Sequence, residues 1–378
     1  MLKDFEKLID NETQFKDSLR ERFGLPVSLT GQEIYIWGAG KLAKFVIKQL
    51  EKNELKVKGV VTSTDDRVGD SFENTHFVER KQIEKEALII VCSQSYPVIF
   101  ETIEKMGHKK YVYYEIIPFI YENFTRWDMS YNEIHRVWFE KGEKIKKVMP
   151  LLLHDEISVE VFKNVLMYRT TLQNEYIDKA YFLSIERGST YFDKEIIKLG
   201  SEEVFIDCGG YVGDSTEMFI MNCHNRYEKI IFFEPNSELM ETARENLKKY
   251  PNITYYAKAV GEKEGVAFFT PLDASGMVSD NGQVQIPVSS IDGLIPPVCA
   301  TYIKMDIEGS EMDALRGGLD IIKRCVPKLA ISIYHKHYDL FEIIEFIDSL
   351  NLGYEFYVRH YTRTLADTVL YCIPDMGR

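Results

Sequence analysis

Residues 204–216 read VFIDCGGYVGDST, and this stretch decides the fold of the second half of the chain. An apolar run leads into glycines at positions 209, 210 and 213, which allow positive backbone angles and close approaches. The residues at 214–216 are types that often cap a new helix. The pattern therefore predicts a buried parallel strand, a tight glycine-rich turn and a helix, as at the first turn of a nucleotide-binding α/β sheet.

A second acidic signal lies one predicted strand further on. In KIIFFEPN, Glu234 follows Gly213 by 21 residues, and a carboxylate there can accept hydrogen bonds from both hydroxyls of a ribose. The dinucleotide pattern GxGxxG fails because Tyr211 occupies the third position. Asp207, two residues before Gly209, fits a cationic ligand such as S-adenosylmethionine better than an anionic pyrophosphate, or it orders the loop.

Strand and helix patterns alternate through the rest of this half, with a loop-and-hairpin region at 261–298. Strands are predicted at 203–207, 229–234, 253–259, 300–307, 328–334, 354–359 and 367–373. Because a short turn separates the last two, they should pair antiparallel. We therefore expect residues 201–378 to form a seven-stranded Rossmann-like α/β sheet.

Residues 31–118 carry another glycine motif. The segment IYIWGAGKLA places Gly38 and Gly40 between a strand and a helix, and further strands are predicted at 55–63, 87–93 and 110–116. This pattern predicts a smaller parallel α/β Rossmann-like domain. An acidic residue for the ribose is expected at the end of the second strand, but Asp65 and Asp66 lie beyond its predicted end at residue 63. The domain therefore either binds a nucleotide or is a scaffold with an empty pocket.

Two helical segments complete the predicted organisation. Residues 1–30 are expected to form an N-terminal helix, and residues 119–200 a helical connector that packs on one or both flanking domains. The connector is too apolar for a flexible linker. A homo-oligomer would form through the N-terminal or helical region.

The composition excludes several classes of protein. A net charge of −13 disfavours nucleic acid as a partner. No apolar run is long enough to span a membrane, and the N-terminus lacks a signal-peptide core. The six cysteines contain no CxxC pair, so we expect free thiols in a cytoplasmic protein and no structural zinc.

Four segments together carry a resemblance to a known family. They are VFIDCGGYVGDST, IIFFEPNSELMETARENL, YIKMDIEGSEMDALRGG and PKLAISIYHKHYDLFEI. From about Tyr191 to Ile373 the chain resembles the FkbM family of class I S-adenosylmethionine-dependent methyltransferases, whose characterised members are mostly O-methyltransferases. The resemblance implies a cofactor site for S-adenosylmethionine. Its expected residues are Asp207, Gly209, Gly210, Tyr211, Gly213, Glu234 and Ala259.

Candidate catalytic residues follow the fourth predicted strand. In IKMDIEGSE, Lys304, Asp306 and Glu308 alternate and should point to one face. Asp306, Glu308 or both could face the acceptor hydroxyl, or Lys304 and Glu308 could form an ion pair that orders the strand end. These carboxylates could also hold a divalent metal. Glu311 begins a helix and interacts with its dipole.

Histidines follow the fifth predicted strand, in ISIYHKHYDLFEI. We favour His335 over His337 as a general base, because a histidine pKa lies near the working pH; the alternative for either is a structural role. Asp339 orients one of them or caps the next helix. Arg359 binds an anionic substrate group or pairs with a carboxylate.

These observations predict an O-methyltransferase that acts on a hydroxyl of a sugar or glycan precursor, as in polysaccharide biosynthesis. Two alternatives stay open. One is a nicotinamide-dependent sugar-nucleotide enzyme centred on Gly38 and Gly40. The other is a non-catalytic scaffold that binds a nucleotide.

Overall fold

The fold is taken from a computed structural model of the chain. It describes residues 12–93, 95–121, 123–125, 142–171, 173–272, 275–278, 284–294 and 297–375. The chain divides into two compact units. The first comprises Met1–Gly142 and Met167–Asn174, and the second comprises Glu143–Leu166 and Glu175–Arg378.

The first unit is built on a small parallel sheet. Its strands are β1 (Ile34–Trp37), β2 (Val57–Val61), β5 (Leu88–Val91) and β6 (Tyr111–Tyr113), in the order β2-β1-β5-β6, with a short hairpin of β3 (Ser71–Phe72) and β4 (Thr75–His76). All pairings in the sheet are parallel. The helices are α1 (Glu12–Arg22), α2 (Lys41–Lys52), α3 (Tyr96–Lys105) and α4 (Ile117–Ile120). This arrangement confirms the predicted Rossmann-like sheet.

The second unit is built on a seven-stranded sheet. Its strands are β9 (Val204–Cys208), β10 (Lys229–Phe233), β11 (Ile253–Tyr256), β16 (Tyr302–Met305), β17 (Lys328–Ser332), β18 (Tyr354–His360) and β19 (Thr368–Pro374). They lie in the order β11-β10-β9-β16-β17-β19-β18, and β19 runs antiparallel to both neighbours. The predicted seven-stranded sheet with a terminal antiparallel pair is confirmed.

The strand order creates the position for a ligand. From β9 the chain crosses outward to β10 and β11, and it then returns to place β16 on the other side of β9. The carboxyl ends of β9 and β16 therefore flank a switch point, where open α/β sheets bind ligands. All five residues of β9 are buried, because a parallel strand covered by helices on both sides has no solvent face.

Helices and a small second sheet surround the seven strands. The helices are α5 (Glu156–Thr171, which crosses the boundary between the units), α6 (Asn174–Ile185), α7 (Asp214–Asn222), α8 (Ser237–Leu247), α9 (Glu311–Gly317), α10 (Leu319–Cys325) and α11 (Asp339–Ser349). The second sheet joins β12 (Ala259–Val260), β13 (Gly265–Leu272), β14 (Ser275–Val278) and β15 (Val284–Ser289).

The segments predicted as wholly helical lie partly outside the described residues. Residues 1–11 of the predicted N-terminal helix and 126–141 of the predicted connector are not described. Within 142–200 the structure has α5 and α6, and it adds a short hairpin of β7 (Gly188–Ser189) and β8 (Phe192–Asp193). The boundaries drawn from the sequence at 30, 118 and 200 stay a prediction.

The prediction of six free thiols is wrong for one pair. Cys299 and Cys325 form a disulfide that spans 26 residues of sequence, with their Cα atoms 5.6 Å apart. The spacing of the two cysteines in the sequence did not predict this contact. They come together because β16 and the two helices that follow it bring the chain back beside Cys299. The remaining cysteines are buried and are not part of a disulfide: Cys92, Cys208, Cys223 and Cys372.

Within the part of the chain that the structure describes, no helix combines the length and the apolar character needed to cross a membrane.

Candidate active site

A cavity of about 620 Å³ opens at the carboxyl edge of the seven-stranded sheet, at the switch point. Its walls come from the loops that follow β9, β10, β11 and β16 and from the turn between β18 and β19. The lining residues are Tyr191, Gly209, Tyr211, Asp214, Ser215, Phe233, Glu234, Pro235, Asn236, Leu239, Lys258, Ala259, Val260, Lys304, Asp306, Ile307, Glu308, Ser310 and Asp367.

The glycines of the first turn are needed for close packing. Gly209 has φ +81°, and a Cβ there would lie 1.9 Å from the Asp306 carbonyl oxygen, so the loops after β9 and β16 could not approach. Gly213 has φ +91° and faces Leu247, while Gly210 packs on the Phe232 ring. Of the three, Gly209 lines the cavity.

Asp207 lies behind the cavity wall rather than on it. Its side chain is completely buried, and its Oδ1 atom is 3.2 Å from the Nζ atom of Lys304. Its Oδ2 atom accepts hydrogen bonds from the hydroxyls of Ser215 (2.6 Å) and Thr216 (2.7 Å). These hydroxyls do not cap helix α7, whose N-cap is Gly213. Of the two roles expected for Asp207, the geometry favours ordering the loop.

Lys304 completes this buried link between the two strand ends. Its ammonium group donates a hydrogen bond to the Gly209 carbonyl (2.6 Å) and lies 5.1 Å from the centre of the Tyr191 ring. Burial alone would lower the pKa of Lys304, but the carboxylates of Asp207 and Asp306 raise it. Lys304 is therefore a fixed positive charge that holds the glycine turn.

Glu234 directly follows β10 and lines the cavity beside the glycine turn. Its Oε2 atom accepts a hydrogen bond from the Tyr211 backbone N–H (3.1 Å), and its Oε1 atom accepts one from the Asn236 N–H (2.8 Å). Each carboxylate oxygen keeps a second lone pair for a ligand hydroxyl. Burial raises the pKa of Glu234, and the two backbone N–H groups partly oppose this.

The remaining wall on this side is mostly apolar. Ala259 and Val260, in β12, lie on it together with Leu239 from helix α8 and Phe233 from the end of β10. The flat face of an aromatic ring such as adenine suits this wall. Asn236 positions helix α8 by accepting backbone hydrogen bonds from residues 238 and 239.

A carboxylate cluster forms the other side of the cavity, after β16. Asp306 accepts a hydrogen bond from the Tyr191 hydroxyl at Oδ2 (2.7 Å) and one from the Tyr334 hydroxyl at Oδ1 (3.2 Å). Burial alone would raise the pKa of Asp306, but the charges of Lys304 and His335 hold it below its usual value. Asp306 is therefore an ionised carboxylate held in place by two phenols.

His335 lies beneath this cluster, with its side chain 8% exposed. Its Nδ1 atom is 2.9 Å from Glu311 Oε1, while its Nε2 atom is 3.5 Å from Asp306 Oδ1 and 3.4 Å from Glu308 Oε2. Burial alone would lower the pKa of His335, but these three carboxylates raise it to about 9. At neutral pH the free cluster thus holds an imidazolium, which is not a base.

Glu308 reaches its position differently from the sequence-based expectation. Strand β16 ends at Met305, and Glu308 lies in the following turn with φ +54°, so the predicted strand alternation does not extend to it. Its side chain is 41% exposed on the cavity. Burial raises the pKa of Glu308, as does the nearby Asp306 carboxylate, while His335 lowers it. The ion pair of Lys304 is with Asp207, not with Glu308.

The structure also gives the contacts of three other charged residues for which the sequence suggested roles: Arg359, Glu311 and Asp339. Arg359 is 1% exposed and pairs with Asp155 (2.8 Å) and Asp193 (3.0 Å), so the carboxylate-pairing alternative is the one observed. Glu311 is fully buried and accepts a hydrogen bond from the Ile307 N–H (2.9 Å). The expected interaction with the helix dipole did not include this contact. Asp339 accepts a hydrogen bond from the Lys336 backbone N–H (3.0 Å).

Sequence reasoning missed two tyrosines of this site, Tyr191 and Tyr334. Both bind Asp306 through their hydroxyls. Tyr191 marks the start of the resembling segment, and Tyr334 directly precedes the favoured histidine. Both tyrosines therefore lie in segments that the sequence analysis had singled out, but no spacing rule links a tyrosine at 191 to an aspartate at 306.

Two family models match the chain. Residues 207–356 match the model described as the methyltransferase FkbM domain, and residues 31–113 match the model described as C2185-like, N-terminal. The first match confirms the resemblance drawn from the sequence motifs. Among curated proteins, none matches the chain.

One solved structure matches the fold over nearly the whole chain. Methyltransferase FkbM from Methylobacillus flagellatus KT is 21% identical to this chain, covers 98% of both chains and has a TM-score of 0.75. An rRNA methylase from Streptococcus thermophilus is 14% identical, covers 47% of this chain and 90% of its own, and has a TM-score of 0.32. The first of these confirms the predicted fold class.

Proposed function

Because this chain carries an FkbM-family methyltransferase domain, we propose that it transfers a methyl group from S-adenosylmethionine to a hydroxyl of a sugar or glycan precursor. The observation that carries the proposal is the two-sided cavity at the switch point. One side offers a carboxylate with free lone pairs beside an apolar wall, and the other offers a cluster of carboxylates.

The cofactor side fits an adenosyl group. Glu234 would accept the two ribose hydroxyls, the wall at Ala259 and Val260 would cover the adenine, and the backbone of Gly209 and Tyr211 would border the methionine part. Bound S-adenosylmethionine supplies the methyl group on a positively charged sulfonium. Asp207, from behind the wall, and Lys304, on it, would act by fixing the turn.

The charge of the cavity favours a neutral acceptor. Five lining side chains are acidic: Asp214, Glu234, Asp306, Glu308 and Asp367. The two lysines in the lining are Lys258 and Lys304, and the second is neutralised by Asp207. A phosphate or carboxylate acceptor would be repelled from the cluster, whereas a polyol could donate its hydroxyls to the carboxylates. This supports the hydroxyl acceptor that the FkbM resemblance implies.

Glu308 is our candidate for the group that takes the acceptor proton. It is the most exposed of the carboxylates around His335, whereas Asp306 is already bound by two tyrosine hydroxyls. Asp306 and His335 would instead position the acceptor and balance charge. Alignment of the acceptor oxygen with the methyl group would supply most of the rate enhancement.

Calorimetry with S-adenosylmethionine and S-adenosylhomocysteine tests the cofactor. We expect both to bind wild type, and Glu234→Gln to weaken binding about 10- to 100-fold, because hydrogen bonds to a charged group contribute about 1.5–3 kcal/mol. Glu238→Gln is the matched control, since Glu238 is exposed on the next helix. Absence of binding by wild type, or equal binding by Glu234→Gln, would contradict the proposed cofactor site.

The acceptor is tested by S-adenosylhomocysteine release with neutral sugars, nucleotide-linked sugars and sugar phosphates. We expect turnover with a hydroxyl acceptor that places no phosphate next to the reacting oxygen. Glu308→Gln should lower kcat about 100-fold or more while leaving cofactor affinity unchanged. Turnover only with amine or thiol acceptors would refute the hydroxyl assignment.

A further inference from the structure

The group beneath the acceptor side of the cavity has the composition of a metal site. Asp306, Glu311 and His335 each offer one ligand atom, and these atoms lie within 4.8 Å of one another. Two carboxylates and one imidazole form a mixed oxygen and nitrogen donor set, which suits divalent ions such as Mn²⁺ or Zn²⁺. Glu308 adds a further carboxylate 3.4 Å from the same imidazole.

The buried polar atoms of this group are short of hydrogen bonds. Neither ring nitrogen of His335 makes a hydrogen bond of good geometry with the described residues. Its Nδ1 atom has an ion-pair contact with Glu311 Oε1 at 2.9 Å, whereas its Nε2 atom lies 3.4 Å from Glu308 Oε2 and 3.5 Å from Asp306 Oδ1. The Oε2 atom of Glu311 is likewise buried without a hydrogen-bond partner among them. Buried polar groups are normally hydrogen-bonded, so the His335 Nε2 and Glu311 Oε2 atoms each have the capacity for a further partner.

Hydrogen bonds from the protein hold both carboxylates in place before any ion binds. The Ile307 N–H donates to Glu311 Oε1 (2.9 Å), and the Tyr191 hydroxyl donates to Asp306 Oδ2 (2.7 Å). Glu311 therefore has one oxygen engaged by the protein, whereas both oxygens of Asp306 accept hydrogen bonds, the one from the Tyr334 hydroxyl to Oδ1 being the longer at 3.2 Å. A carboxylate oxygen that accepts one hydrogen bond keeps a second lone pair for an ion. Such outer contacts orient metal ligands.

From this arrangement we propose that Asp306, Glu311 and His335 bind a divalent cation at the floor of the acceptor side. Asp306 lines the cavity, while Glu311 is buried, so the protein covers the ion on one side and the cavity leaves its other coordination positions open. An open position can take water or an acceptor hydroxyl. The participation of the ion in methyl transfer rests on the proposed function, but its binding does not.

Direct titration with MnCl₂ tests the site, with the free Mn²⁺ measured by its electron paramagnetic resonance signal. Wild type, freed of metal by a chelator and without cofactor, should bind one Mn²⁺ per chain, and Zn²⁺ should displace it. Glu311→Gln and His335→Asn should each weaken binding at least about 10-fold. His224→Gln is the matched control, because His224 is exposed on a loop.

The folding of each variant is checked by its affinity for S-adenosylhomocysteine, which the cation site should not change. A wild-type protein that binds the adenosyl ligand but shows no saturable binding of Mn²⁺ or Zn²⁺ would overturn the proposal. So would folded variants at Glu311 and His335 that bind Mn²⁺ as wild type does. Binding of Mn²⁺ without binding of either adenosyl ligand would refute the proposed function and leave the cation site in place.

Discussion

Replacing Lys304 by methionine should strongly destabilise the second unit. The ammonium group and the Asp207 carboxylate are 2% and 0% exposed, and the pair joins the carboxyl ends of β9 and β16. Methionine fills a similar volume but leaves Asp207 as an unpaired buried charge and the Gly209 carbonyl without its donor. Removing one partner of a buried ion pair costs about 3–5 kcal/mol. For a unit of this size, such a loss lowers Tm by about 6–20 °C.

A lysine on the neighbouring strand of the same sheet offers a matched comparison. Lys328 pairs with Glu203 (2.9 Å) near the amino ends of the strands, where the two side chains are 19% and 6% exposed. In Lys328→Met, Glu203 keeps hydrogen bonds from the Thr301 hydroxyl and the Gly200 N–H. We therefore expect a smaller loss of about 1–2 kcal/mol.

Urea denaturation followed by far-UV circular dichroism would measure both variants, and calorimetry would measure their affinity for S-adenosylhomocysteine. Lys304→Met should also bind the ligand more weakly, because the glycine turn loses its tether. A double variant with Asp207→Asn should lose at least about 1 kcal/mol less than the sum of the two single changes. The reasoning fails if Lys304→Met is no less stable than Lys328→Met, or if the double variant is additive.

Three further predictions concern other parts of the second unit. Gly209→Ala should lower the free energy of unfolding, measured by urea titration, by about 2–5 kcal/mol, because φ is positive and the new Cβ would strike the Asp306 carbonyl. Gly265→Ala is the control: its Cβ would meet open space, so its stability should stay within about 0.5 kcal/mol of wild type. Burial alone would raise the pKa of Asp155, but the Ser158 hydroxyl and Arg359 lower it below its usual value. The ionised Asp155 therefore stabilises the folded protein at a pH above the pKa that Asp155 has in the unfolded chain, and this stabilisation is lost as the pH falls through its pKa in the folded protein. The stability gap between wild type and Arg359→Met should therefore narrow from pH 6 to pH 3; a constant gap would contradict the pairing. Thiol titration of the unfolded, unreduced chain should find four free thiols, and six would exclude the Cys299–Cys325 disulfide.

The positions of the strands along the chain could be predicted from the sequence, but the directions of the site side chains could not. Alternation of apolar and polar residues shows the face of a strand only when one face meets water. In β9 every residue is buried, so nothing in the pattern indicates that Asp207 turns to Lys304. Alternation misled at Glu308 because the predicted strand was extended beyond Met305, where β16 ends.

The cofactor side was more predictable than the acceptor side for a geometric reason. Its residues come from consecutive loops after β9, β10 and β11, so a fixed spacing relates Gly213 to Glu234. The acceptor side combines the loops after β16 and β17 with the turn between β18 and β19, and Tyr191 joins it from a distant hairpin. Contacts such as Glu311 with His335 depend on how these loops pack, and no local spacing encodes that.

The two glycine motifs of the chain show why a glycine loop alone is weak evidence for a ligand. Gly38 has φ +123°, and its Cβ would lie 2.7 Å from the Cys92 carbonyl oxygen, just as that of Gly209 would strike Asp306. In both loops the fold itself therefore requires the glycine. Among the described residues, the loops differ in what surrounds them: Glu234 faces a cavity beside Gly209, whereas a 400 Å³ cavity in the first unit is lined by other segments and not by Gly38. Nucleotide binding by the first unit stays a prediction, because its glycine pattern is already explained by the packing of strand ends.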